Sequence, residues 1–239
     1  MASAIIFPVQ DVNMLRNRAT DAWADRFPEE LPEGWSVSTL DLRPFLAVFP
    51  PLALKPGYTL RAYQFYYHRD GNTVVWALPE TAVFPPPDPQ ADDDPPAPPE
   101  ALDNVMAAIT GDETPWSYLC ASILSREINE VGTFGHGSEW AADHLLGASP
   151  WDANGQTAYT SPDQGPTGSA NAWQWHTAEP ENWQPAVYTD AQQITVAFYT
   201  YSGLGMQTIT RHTDFYKPGS YIPLHQQQVV ASGPQGFVW

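Results

Sequence analysis

Residues 85–99 read Pro-Pro-Pro-Asp-Pro-Gln-Ala-Asp-Asp-Asp-Pro-Pro-Ala-Pro-Pro, and this run constrains the fold more than any other feature. Proline has no backbone donor and a fixed φ, so neither a helix nor a central strand can pass through it. The composition predicts an extended, polyproline-like, acidic connector. A plain linker is the simpler reading and a partner-docking motif the sharper one. If ordered, the run should lie against the protein or a neighbour. It divides the chain into residues 1–84, an N-terminal helix with a β-hairpin region, and residues 100–239. The two flanking parts are compatible with one composite domain.

Ahead of the connector, Asp11 reads as a helix N-cap. Val12, Leu15, Ala19, Trp23 and Phe27 follow at three- and four-residue steps, and Pro28 and Pro32 end the pattern. Residues 35–84 read as β. Val37–Leu42 and Phe45–Phe49 are short candidates. Tyr58–His68 and Thr73–Leu78 flank Asp70-Gly71-Asn72, a hairpin signal in which Gly71 supplies positive φ. On the first of these strands Tyr63, Phe65 and Tyr67 share one face and Leu60, Ala62, Gln64, Tyr66 and His68 the other. Bulk on both faces predicts a sheet covered on both sides or an aromatic surface patch.

After the connector, residues 100–147 read as helical. Leu102, Val105, Met106 and Ile109 make a first stripe that Gly111 stops. Thr114-Pro115 caps a second helix, with Trp116, Leu119, Cys120, Ile123, Leu124, Ile128 and Val131 on its apolar side and Arg126, Glu127 and Glu130 on its polar side. Gly132–Gly137 breaks that helix, and Ser138 caps a third, short one through Leu146. Residues 148–182 are polar and aperiodic yet hold several tryptophans, which predicts a functional or mobile loop rather than a plain linker. Gln193–Ser202 and Met206–Thr213, joined by Gly203-Leu-Gly205, form a second hairpin candidate. Tyr221–Leu224, Gln227–Ala231 and Gly236–Trp239 close the chain.

The order is therefore helix, strands, helices, strands. Without regular β-α-β alternation a doubly wound parallel sheet is not expected. The predicted class is α+β: antiparallel sheet or sheets from about residues 35–84 and 185–239, packed against an N-terminal helix and a helical insertion over about 100–147.

Charge removes several function classes. The chain carries 27 acidic residues against 10 basic ones, a net charge of -17, and the imbalance is a shortage of lysine. Nucleic-acid binding needs Lys and Arg to neutralise phosphates, and no basic cluster exceeds Arg16 with Arg18. Nucleic acid and anionic membrane are therefore not expected partners. No apolar run approaches the roughly 20 residues that span a bilayer. The opening residues lack the basic region of a secretory signal, and the lone Cys120 fits a reducing compartment, so the expected location is the cytoplasm.

Catalytic signatures are largely missing. There is no GxxxxGK[ST], no HExxH and no GxSxG elbow in a strand–turn–helix setting. Cys120, on an apolar stripe, reads as an inert core thiol. Three groups of residues remain. The densest ionisable group runs from Glu127 and Glu130 through His136 and Glu139 to Asp143 and His144. Carboxylates and imidazoles are the usual ligands and proton carriers, so Glu127, Glu130, His136, Glu139 and His144 are the candidate ligands of a single divalent metal. On one continuous helix His136 and His144 would stand about 12 Å apart, too far to share an ion, so that reading needs a folded loop. The plainer reading places Glu139 and His144 at the two ends of a short helix, where its dipole favours them.

The second group is Trp173, Trp175, His176 and Trp183, whose rings could stack on sugars or flat ligands, or pin the long loop to a sheet. The third is His212 and Asp214, two apart on a strand and so on one face, half of a general-base dyad or the solvated face of an edge strand. With no complete catalytic constellation and no cofactor motif, the leading expectation is a non-enzymatic binding or scaffolding protein with a protein partner or a second copy of itself. The alternatives are a small metal-assisted or acid–base enzyme built on Glu127–His144, and a carbohydrate- or small-ligand-binding module built on Trp173, Trp175 and Trp183.

Overall fold

A computed structural model of the chain describes residues 3–24, 32–68, 70–91, 93–134 and 140–237. Strand β1 (Ser3–Ile6) leads into helix α1 (Val9–Ala24). The helix begins directly after Pro8, so Asp11 lies in its first turn rather than at its cap. Val12, Leu15 and Ala19 are buried as the stripe predicts. The expected stop at Phe27-Pro28 lies outside the described residues. Strand β2 (Gly34–Val37) precedes a single helical turn, α2 (Arg43–Leu46), where a strand over Phe45–Phe49 was expected. Pro44 suits the first turn of a helix, and the Asp41 carboxylate accepts the Arg43 N–H, which together tip the segment into a turn.

Strand β3 (Leu52–Leu54) is followed by the long hairpin β4 (Tyr58–Tyr67) and β5 (Asp70–Pro79). The hairpin is as expected, but its turn is not at Asp70-Gly71-Asn72. Tyr67 pairs with Asp70 and Tyr66 with Gly71, so Gly71 lies inside the strand. Its missing Cβ admits the Phe134 ring, which a side chain there would overlap. A 3-10 turn over Val105–Ala108, capped by the Asn104 side chain, replaces the expected helix and runs into β6 (Ile109–Gly111). Helix α3 (Pro115–Glu127) starts where predicted, with the Thr114 hydroxyl accepting the Ser117 N–H.

Strand β7 (His144–Leu146) stands where a third helix was expected; its antiparallel pairing with Tyr199–Tyr201 outweighs local helical preference. The Ser138 cap lies outside the described residues. The chain closes with β8 (Gln174–Trp175), β9 (Ala186–Thr189), β10 (Ile194–Ser202), β11 (Met206–Tyr216) and β12 (Leu224–Gln235). Where the short strands Tyr221–Leu224 and Gln227–Ala231 were expected, one continuous strand runs from Leu224 to Gln235; Gly236–Trp239 follows it, and its last two residues lie outside the described residues.

The chain forms two compact units. One comprises residues 1–13, 139–215 and 224–239 and holds a seven-stranded sheet of order β1-β9-β10-β11-β12-β8, with β7 also on β10. The other comprises residues 14–138 and 216–223 and holds the sheet β2-β4-β5 and the pair β3-β6. The α+β class is as predicted.

The proline run lies wholly in the second unit and is packed, not dangling. The Tyr63 hydroxyl donates to the Pro85 carbonyl, the Trp35 N–H donates to that of Pro89, and Phe84 stacks on Tyr63 at 4.4 Å. Pro95 and Pro98, three apart as one turn of a polyproline helix requires, are buried. The run covers the Tyr63 face of the sheet, while Phe134 covers Tyr66 on the other, at 5.9 Å. Helix α3 is buried on every side from Ser117 to Glu127. Its expected polar face is therefore interior: Arg126, Glu127 and Glu130 are all buried, and the Arg16 Nε donates to Glu127 Oε1 at 2.8 Å.

Candidate functional site

In the seven-stranded sheet, strand β11 buries opposite faces along its two halves. Gln207 and Ile209 are buried on one face, His212 and Asp214 on the other. Side chains alternate along a strand, so each half needs its own cover. The first is covered by rings: Ile209 clusters with Trp151, Trp173, Trp183 and Tyr201. The rings form a chain, Trp173 to Trp151 at 5.3 Å, Trp151 to Trp175 at 6.1 Å, Trp175 to Trp183 at 6.2 Å and Trp183 to Tyr199 at 5.5 Å. The indole N–H of Trp173 donates to Thr167 O and that of Trp151 to Gly168 O. Burial pushes the Tyr201 hydroxyl up from its ordinary pKa.

This settles where the second group of sequence candidates sits. Trp173 and Trp183 are interior and spend their ring faces on other rings. Trp175 is half-buried, and the exposed His176 meets Ser232 Oγ at 2.9 Å. The loop over residues 148–182 carries the indoles as its own core, pinned to the sheet.

His212 and Asp214 do share a face, and each meets a different partner. The Thr200 hydroxyl donates to Asp143 Oδ2 at 2.9 Å and lies 2.8 Å from His212 Nε2. A hydroxyl has one proton, so His212 Nε2 is the donor in the second bond. The His212 ring stacks on Phe198 at 4.9 Å and meets Trp140 edge-on at 5.9 Å. Asp214, fully buried, instead bonds His225 across the ladder, Oδ1 to Nδ1, at 2.7 Å. Sequence reading missed His225; the signal was the strand register, in which Asp214 and His225 are direct partners.

The metal candidates divide between the units. Glu127 and Glu130 belong to the second unit and His144 to the first. His144 is exposed, its ring 6.2 Å from that of Tyr201. His136 and Glu139 lie outside the described residues. Among the described residues no group of three or more His, Cys, Asp or Glu side chains converges as metal ligands would.

What remains open is the end of the sheet formed by β11 and β12. Arg211 and Thr213 face Gln228 and Gln226, and with Thr195 and Phe215 they line a cleft of about 480 Å³ without a carboxylate. Burial pushes the Tyr199 phenol up, and the nearby Arg211 guanidinium pulls the other way. The Asp214–His225 pair stands on the opposite face by strand alternation. Every residue from Leu224 to Val229 is exposed. On the outer edge of β12, strand β8 pairs with Ala231 and Ser232, and the His176 N–H donates to Val230 O. Among the described residues no strand lies along the outer edge from Leu224 to Val229.

No protein-family model, no curated protein and no solved structure matches the chain. The site's own geometry therefore carries the functional argument. No helix of the described residues is long and apolar enough to cross a membrane.

Proposed function

We propose that the chain is a non-enzymatic binding and scaffolding protein that takes an extended segment of a protein partner along strand β12. One observation carries this reading: the stretch Leu224–Val229 is exposed throughout and, among the described residues, laddered to β11 on one side alone. An open edge presents a row of backbone donors and acceptors, which an added strand satisfies. Sheet edges are ordinarily guarded by lysine, proline or a bulge. The stretch Leu-His-Gln-Gln-Gln-Val contains neither lysine nor proline, and the register shift in this ladder comes after it, between the Ile209 and Thr210 pairs. The glutamines and Arg211 beside it offer amide and guanidinium groups to the partner's side chains.

The acidic charge supports a protein partner over nucleic acid, and the single buried thiol suits a reducing, cytoplasmic setting. The test is selection from a library of random extended peptides, followed by titration of the enriched peptides against the wild type and the double variant Gln226→Lys/Gln228→Lys. Binding that weakens at least about tenfold in the variant supports the reading. Enrichment of nothing, or of peptides indifferent to the lysines, overturns it unless the chain pairs with itself at this edge.

A further inference from the structure

We infer that the strand taken up along β12 is the β12 of a second copy of this chain, paired antiparallel about a two-fold axis normal to the sheet. The inference rests on the reading just given and names its partner.

Three features suit a second copy. The first is side-chain compatibility. A two-fold axis normal to the sheet keeps each face continuous, so opposed residues must have the same parity. Centred on Gln226, the pairing sets Gln226 against itself, His225 against Gln227 and Leu224 against Gln228. Centred on Gln227, it sets Gln227 against itself, Gln226 against Gln228 and His225 against Val229. Neither register opposes like charges at the seam, although each chain carries a net charge of -17.

The second is length. The open segment is bounded where β8 takes over at Ala231, and a segment of this size matches the usual strand of about five or six residues. Centred on Gln226, a second copy covers Leu224–Gln228 in full and sets Val229 against Pro223. The third is what the segment exposes. Leu224 and Val229, at its two ends, are 64% and 42% exposed, and an added strand shields both.

One short strand pair lies at the small end of protein interfaces, so the dimer forms with rising concentration. The repulsion of two acidic chains is screened by salt, with a Debye length of about 10 Å at 0.1 M, so salt tightens the dimer.

The test is sedimentation equilibrium of the full chain over a range of concentration and salt, with Gln226→Lys alongside. Single cysteines at Gln226 and Gln227 are then oxidised mildly, with Gln192→Cys, exposed in the connection between β9 and β10, as the control. Cys120 does not interfere, because it is buried and its thiol is pushed up to about 12. The expected result is a concentration-dependent dimer that strengthens with salt and weakens at least about tenfold in Gln226→Lys, whose thermal unfolding is unchanged. Gln226→Cys or Gln227→Cys should cross-link to itself, and Gln192→Cys should not. A monomer at every concentration, or a dimer indifferent to Gln226→Lys with neither seam cysteine linking, overturns the inference. A monomer that still takes lysine-sensitive peptides overturns the second copy while leaving strand addition standing. A monomer that takes none overturns both.

Discussion

Asp214 and His225 are direct partners across the β11–β12 ladder, and their side chains meet at 2.7 Å although one is fully buried and the other 40% exposed. The pair fastens the first half of β12, along whose outer side no strand of the described residues lies, to the interior of the sheet. His225→Ala removes a hydrogen bond to the buried Asp214 carboxyl and should cost about 1–3 kcal/mol, read from urea unfolding. A loss below about 0.5 kcal/mol would mean that the pair does not hold the strand.

Gly233 on β12 lies against the Trp173 ring, which a Cβ at that position would overlap. Gly233→Ala should push the indole from its pocket and destabilise the chain by about 1–3 kcal/mol, with a change in indole fluorescence. Trp173→Ala, which empties the same place, should cost about 3–5 kcal/mol. Fluorescence and stability unmoved by both changes would remove the indole cluster from the core.

Cys120 is fully buried on α3, and desolvation pushes its thiol up to about 12. Since the thiolate is the reactive form, a disulfide-exchange reagent at pH 8 should leave the native chain unmodified and label one thiol after unfolding in guanidinium. Rapid native labelling would contradict the burial of α3.

Asp112 sits just before α3, and its carboxylate accepts both the side-chain hydroxyl and the N–H of Thr114, which hold its pKa below the ordinary value. A depressed pKa in the folded state stabilises at pH above the unfolded value, and that stabilisation fades as pH falls through the folded one. Asp112→Asn should therefore lower stability at neutral pH, and the gap to wild type should close in acid below about pH 4. A gap that is independent of pH would show that the charge contributes nothing.

Where a signal was local, it could be read from the residues. Thr114-Pro115 starts α3, the stripe Val12-Leu15-Ala19 marks the buried side of α1, and Gly203-Leu-Gly205 joins β10 to β11. Local signals misled where a neighbour distant in sequence decided the outcome. Gly71 looked like a turn and proved to be the place where Phe134 approaches the backbone. Leu145 and Leu146 looked helical and instead add a strand to β10. Arg126, Glu127 and Glu130 looked like a solvated face because their i, i+4 spacing says nothing of what surrounds the helix.

The candidate site was legible in part. Asp214 and His212 were found because alternation places them on one face, but which imidazole the carboxylate meets depends on the register of a strand that begins at Leu224. The openness of β12 has no local signature, since Leu-His-Gln-Gln-Gln-Val would read the same in the middle of a sheet.

The α+β class, the extended character of the proline run and the scarcity of positive charge could all be read from the residues, because each follows from backbone limits or composition. Only the folded chain shows that the proline run covers the Tyr63 face, that Trp151, Trp173 and Trp183 are interior, that Asp214 meets His225 and that no strand of the described residues covers one end of β12. Those outcomes depend on which distant segments compete for the same surface, and packing settles that competition after the local preferences have been spent.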